Sequence, residues 1–297
     1  MIFLLLTILA NVAIFLAFRS FPRFGINTFP AIVTNYLVCV ITGTLYTGFG
    51  EVSRQLDPAA PWFRFAIMLG IIFVCTFYLM ATTTQKHGVA VATVASKMSL
   101  AIPVIFSLFV FKIATNSLDT WNYVGIALAL VAIFLVSRPA QPEVGPSGLS
   151  FKTLWLPLGV FIMGGVIDTS LNYASHELIS EAIEPIFPIM TFGFAFLAGV
   201  LLCLVFKIKF RKKDIVAGVL LGIPNYFSIF LQIKALSAFN NNGALLYPSL
   251  NIGIIIGSTV AAILFFKERL ARWNWVGVAL AVIVIFLLSH QELLKYF

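Results

Sequence analysis

Apolar residues run along this chain in long stretches, broken at intervals by short segments that carry charge, proline or glycine. A helix needs about 20 mainly apolar residues to cross the hydrocarbon core of a bilayer. Ten stretches approach that length, at residues 2–18, 29–49, 62–84, 88–111, 121–137, 153–174, 186–206, 214–236, 243–266 and 273–289. The breaks include Arg19 to Arg23, Asp57 to Pro61, Lys86 to Gly88 and Lys207 to Lys213. The third and fourth stretches are the most closely spaced, with residues 85–87 alone between them. The pattern predicts an all-α polytopic membrane protein with ten transmembrane helices. The chain opens Met1-Ile2-Phe3-Leu4-Leu5-Leu6, without a basic flank or a small-residue cleavage site, so the first stretch reads as a retained span and not as a signal peptide.

The tenth stretch repeats the fifth. Trp121-Asn122-Tyr123-Val124-Gly125 opens one and Trp273-Asn274-Trp275-Val276-Gly277 the other, and 11 of the 17 positions that follow from each Trp are identical at an offset of 152. Leu69-Gly70 matches Leu221-Gly222 at the same offset, and Gly88 to Lys112 matches Gly243 to Lys267 in length at an offset of 155. Between the halves, Pro139, Pro142, Gly145, Pro146 and Gly148 mark a linker. The expected organisation is a first five-helix repeat at 1–138, a linker at 139–152, a second five-helix repeat at 153–290 and a short tail at 291–297. An odd number of spans per half makes the two repeats inverted with respect to the membrane. That is the architecture of many secondary transporters, whose substrate sites lie near the midplane where the repeats meet.

Composition agrees with lipid as the solvent. Of 297 residues, 61% are hydrophobic and 10% charged, too little polar surface to cover a soluble core. The net charge of +8 sits in the short breaks, which argues for membrane-flanking charge and against nucleic acid. Cys39, Cys75 and Cys203 are isolated within apolar runs, so neither a disulfide framework nor a metal site is expected. No nucleotide-binding loop, nucleophile elbow, zinc-protease motif or dinucleotide fingerprint occurs, and His87, His176 and His290 fall at span ends. The expectation is a protein that is not an enzyme, has no cofactor, and drives any uphill movement by an ion gradient or by exchange.

Ionisable residues deep in a bilayer are costly and usually face a cavity or a partner. Lys97, in Ala95-Ser96-Lys97-Met98-Ser99, is the deepest, near the middle of the fourth span. It fits a site for a substrate anion or a coupling proton, or a structural lysine bonded to carbonyls. Asp168, in the sixth span after Gly164-Gly165 and with Asn172 one turn on, is the acidic counterpart: it fits a pair with Lys97, or a wet position closer to a membrane boundary. In the eighth span Asn225, Ser228 and Gln232 share one helical face, as cavity lining or as interhelical hydrogen-bonding glue. The ninth span reads Tyr247-Pro248-Ser249-Leu250-Asn251-Ile252-Gly253, then Gly257. Pro248 predicts a kink that frees carbonyls, and the glycines a close packing seam. The 155 offset sets Asn251 opposite Ser96, so equivalent helices carry polar groups at equivalent depth. Pro103 is a second kink candidate, just beyond Ser99. The expected substrate-binding set is Lys97, Ser96, Ser99, Asp168, Asn172, Asn225, Ser228, Gln232, Tyr247 and Asn251.

The segment Phe265-Phe266-Lys267-Glu268-Arg269-Leu270, running into Trp275-Val276-Gly277, is similar to the acidic loop and glycine-rich final span of the drug/metabolite transporter superfamily, in its EamA-like branch. Lys267 stands where glycine is commoner, and the first half has Phe111-Lys112-Ile113-Ala114 with no Glu. The resemblance covers nearly the whole chain. It implies a multi-pass carrier of amino acids or related small polar solutes in the cell (inner) membrane, monomeric or weakly oligomeric, with protons or another ion as coupling partner. The readings to weigh against it are a non-transporting membrane scaffold and a flippase subunit for a lipid-linked group. Orientation is contested: the resemblance implies both termini inside. With the termini inside, however, five Lys and Arg would fall in inner loops and thirteen in outer ones, so the charge count favours termini outside.

Overall fold

A computed structural model describes residues 2–103, 120–138, 151–180, 182–239 and 243–294. All regular structure among them is helical. The α-helices are α1 (Ile2–Ser20), α2 (Thr28–Thr47), α3 (Phe49–Gln55), α4 (Pro61–His87), α5 (Val89–Met98), α6 (Thr120–Val136), α7 (Phe151–Glu177), α8 (Ile186–Val205), α9 (Lys212–Ala238), α10 (Gly243–Phe266) and α11 (Arg272–Leu294). Eight are long and apolar enough to cross a membrane. Two shorter apolar helical segments, Val89–Pro103 and Thr120–Val136, occupy the positions of the fourth and fifth predicted spans. The short α3 is an element that the hydropathy pattern does not predict, because it is too short and too polar to register as a span. Most of the predicted linker lies outside the described residues.

Local chemistry sets the breaks. A single glycine separates α4 from α5: Gly88 has φ +96°, caps α4 by donating its N–H to the Thr84 carbonyl, and starts α5. The fourth predicted span breaks within its described part, one turn before the kink candidate Pro103. Helix α5 ends at Met98, Ser99 and Leu100 form a turn, and helical residues resume at 101–103. Pro103 has no N–H for the Ser99 carbonyl, and Ile102 donates to it instead at 2.9 Å, tightening the turn. Pro248, together with Pro157 and Pro224, lies inside a helix.

Helices from residues 2–138 pack chiefly on helices from 151–294. Helix α2 lies against α8 and α9, α4 against α7 and α8, α1 against α9 and α10, α5 against α7 and α10, and α6 against α11. Exchanging α1, α2, α4, α5 and α6 with α7, α8, α9, α10 and α11 in that order leaves this set of contacts unchanged. Between lipid-embedded helices there is no hydrophobic drive, so close backbone approach must hold them. A Cβ on Gly70 would fall 2.8 Å from the Thr191 carbonyl of α8, and one on Gly222 2.9 Å from the Asn35 carbonyl of α2. The Gly253 and Gly257 seam packs on Ile8 and Val12 of α1.

The Trp-Asn segments do related work at opposite ends of one helix pair. Asn274 begins α11 and donates to the Val136 and Arg138 carbonyls at the end of α6, 2.7 Å each. Asn122 begins α6 and donates to Leu288 near the end of α11 at 3.4 Å. Helices α6 and α11 are therefore antiparallel, each start satisfying carbonyls orphaned at the other's end. Trp121 and Trp273 are exposed beside them, where a water–bilayer boundary favours indole.

The core has two parts. Rings of α1, α2, α4 and α8 form one, with Tyr36 stacked on Phe192 at 5.9 Å and its hydroxyl donating to the Phe73 carbonyl at 2.8 Å. Small and β-branched residues of α5, α6, α10 and α11 form the other, among them Val94, Ala129, Ala132, Ala281 and Ile285. Large apolar side chains such as Leu197, Leu201, Leu204 and Phe206 of α8 point outward, as lipid-facing surface does.

Candidate functional site

Helix α5 carries the first part of the site. Its residues from Val89 to Ala95 are buried, Ser96 and Lys97 are partly exposed, and Ser99 is 1% exposed at the break. The second part comes from α7, where Gly164 and Gly165 let that helix close on α5. A Cβ on Gly164 would meet Ser99 at 3.1 Å, and one on Gly165 would collide with Ile102. One turn later Asp168 reaches Ser99, whose Oγ lies 2.8 Å from Oδ2. Yet Asp168 is exposed. A side chain that touches buried Ser99 and lies within electrostatic reach of Lys97 and Tyr247 opens on the interior of the bundle and not on lipid.

The candidate Lys97–Asp168 ion pair is not formed. Among the described residues the ion pairs within 4.0 Å are Arg19–Glu268 and Arg211–Asp214. Lys97 and Asp168 act on each other across a gap, because the closing contact of α7 on α5 is made through Ser99, two residues past the lysine. The Ser99 Oγ also lies 2.6 Å from the Ser96 carbonyl, so one hydroxyl proton faces two acceptors. A proton on Asp168 would complete both bonds.

Helices α9 and α10 supply Gln232 and Tyr247, hydrogen-bonded to each other. Tyr247 is 40% exposed, and Asn251, one turn on, is partly exposed. Tyr247 lies within electrostatic reach of Asp168, which ties this pair to Ser99 and Lys97. Asn225 and Ser228 do not join them. Asn225 is buried and donates to Asn35 Oδ1 at 3.1 Å and to Cys39 Sγ at 3.5 Å, while Ser228 donates to its own helix at the Asn225 carbonyl. This is the glue reading, a polar knot between α9 and α2. The Asn172 side chain lies outside the described residues.

The acidic loop has a role that the hydropathy pattern gives no sign of. Glu268 is partly exposed by residue, but its side chain is only 8% exposed. It pairs with Arg19 Nε at 2.8 Å and accepts the Val89 N–H at 3.2 Å with both oxygens, which caps the N-terminus of α5. Burial pushes its carboxyl above the ordinary range, and Arg19 with the Val89 and Ala90 N–H groups pulls the other way. Arg19 also donates to the Gln85 carbonyl at 2.7 Å. On the same end of the bundle Arg211 donates to the Gly25 carbonyl and Lys213 to that of Phe24. This end gathers Arg19, Arg23, Lys86, Arg138, the Lys207–Lys213 run and Lys267 to Arg272, and is called the basic face below.

No family model matches the chain. A protein of uncharacterised function from Haemophilus influenzae is 25% identical over 303 residues, covering 97% of this chain and 98% of that one. A solved crystal structure with 13% sequence identity superposes with a TM-score of 0.57, across 98% of this chain and 99% of that one. At that identity the likeness is one of fold. Length, hydropathy and packing together define a multi-pass helical membrane protein.

Proposed function

We propose that this protein is a secondary carrier of small polar solutes that bear both charges, such as amino acids, working by alternating access in the cell membrane. The observation that carries the reading is the open pair. Lys97 from the first part of the chain and Asp168 from the second are both accessible and lie within electrostatic reach of each other, yet form no ion pair. A carboxylate on Lys97 and an ammonium group near Asp168 would fill that gap. The Ser99 hydroxyl, shared between two acceptors, favours a proton on Asp168 as the coupling ion.

Ten spans in two inverted five-helix repeats, 1–138 and 153–290, are the architecture in which such a site works. The antiparallel α6–α11 pair, the matched Asn122 and Asn274 bonds and the exchangeable helix contacts support it. The drug/metabolite transporter resemblance of the Glu268 loop points the same way. A thermal-shift screen of amino acids, sugars and phosphorylated metabolites, followed by flux into proteoliposomes, identifies the cargo. Lys97→Met should leave a monodisperse protein whose flux falls about a hundredfold, the scale of removing one partner of a desolvated charge contact. Wild-type flux in that variant would sink the assignment.

A further inference from the structure

The two ends of the bundle are unlike. Toward the basic face, α4 and α5 pack along each other and meet at Gly88, against which the Glu268 carboxylate is pressed; a Cβ there would lie 2.9 Å from Oε2. Glu268 joins three elements at that point: its own loop after α10, the N-terminus of α5, and Arg19 at the end of α1. Arg19 adds the end of α4 through the Thr84 and Gln85 carbonyls. At the opposite face, which carries the chain termini, α9 ends and α10 begins, and over their whole lengths these two pack far less than α4 and α5 do. The most exposed site residues, Tyr247 and Asp168, lie on that side. Tyr247 is four residues into α10, Gln232 is six from the end of α9, and Asp168 is nine from the end of α7.

We propose that Glu268 and Arg19 form a lock closing the basic face, and that this structure is the state open to the face bearing the termini. The inference rests on the carrier reading above, since a lock matters only where access alternates. It follows from the chemistry of the junction. An ion pair with 8% and 29% side-chain exposure, reinforced by backbone N–H groups, holds α5 and hence Lys97 and Ser99 against α1 and α4. Opening the basic face must part it. At the 155 offset the residue corresponding to Glu268 is Ile113, so the opposite face cannot close with the same carboxylate. The lock is one-sided, and breaking it should bias the protein toward the state open at the basic face.

The test reads accessibility and needs no known cargo. Ser96→Cys is placed beside Lys97 in a chain whose Cys39, Cys75 and Cys203 are replaced, and a membrane-impermeant maleimide is applied to each face in turn. With the lock intact, labelling should come from the termini-bearing face. Arg19→Met and Glu268→Gln should each raise labelling from the basic face about tenfold, the shift expected from losing one charge-assisted hydrogen bond. Glu268→Gln keeps an oxygen for the Val89 N–H, which separates the loss of the ion pair from a misfolded α5. Size-exclusion profiles confirm that both variants are folded. Unchanged labelling from the basic face in both folded variants would overturn the lock, as would full labelling from that face with the lock intact. If Ser96→Cys reacts from neither face in any background, the accessible central site fails, and the carrier reading with it.

Discussion

Lys267 has φ +53°, in the left-handed region, at the C-terminus of α10, and Lys207 repeats the value at the end of α8. In both places the following N–H reaches back to close the helix: Glu268 to Ala262 at 3.3 Å and Ile208 to Cys203 at 2.8 Å. The conformation costs an L-residue about 1 kcal/mol and glycine almost nothing. Lys267→Gly should therefore raise the melting midpoint in detergent by about 2 °C, the scale that gain sets for a chain of this size. No rise, with Glu268 still paired, would mean that the lysine gains something at this turn. The same geometry explains why glycine suits this position in the resembling motif. Lys97 and Asp168 were legible as candidates from charge at depth alone. Their failure to pair was not, since it depends on Gly164 and Gly165 admitting Ser99, a contact between residues 69 positions apart.

At the scale of elements, hydropathy locates helices well and their interruptions poorly. The windows around Lys97 are apolar whether α5 runs through Ser99 or breaks there. The break depends on Pro103 withdrawing one hydrogen bond, which window averaging erases and the proline itself signals. Polar faces are ambiguous for a similar reason. Asn225 and Ser228 lie on the same face as Gln232, but one end of that stripe meets α2 while the other meets Tyr247. The Trp-Asn repeats were visible as sequence, and the contacts explain what they do. Asn274 makes two 2.7 Å bonds to the end of α6 and also accepts the Ala271 N–H at 2.7 Å. Asn274→Ala should cost roughly 2–3 kcal/mol, judged by the buried hydrogen bonds lost. Unfolding of the variant in mixed micelles measures the loss, and wild-type stability would contradict the assignment.

Across the whole molecule, charge and resemblance give opposite orientations. The contacts from Arg211 and Lys213 to the segment after α1, and from Arg19 to the end of α4, bring the basic loops to one end. Helix α1 ends there and α11 begins there, so both termini lie at the opposite end, and thirteen of the Lys and Arg residues flank the basic one. The positive-inside rule places such an end in the cytoplasm. A cysteine introduced between Lys207 and Lys213 should therefore resist an impermeant reagent in intact cells and react once the membrane is opened. Reaction in intact cells would reverse the orientation. Sequence alone set the two counts side by side, but only the contacts show that the basic loops touch.

The interleaving of the two parts also governs how the chain is made. Helices α1, α2 and α4 have their main neighbours, and α5 two of its principal ones, among helices encoded after residue 150. Arg19 waits for Glu268, and Ser99 for Asp168. Synthesis proceeds at about 5–20 residues per second, so the 249 residues from Arg19 to Glu268 take roughly 12–50 s. During that interval the early helices lie in the bilayer with an unmatched arginine at one boundary and Lys97 within the membrane. Insertion is thus separated in time from assembly, and a membrane insertase or chaperone that shelters polar helices has its natural point of action before α7 appears.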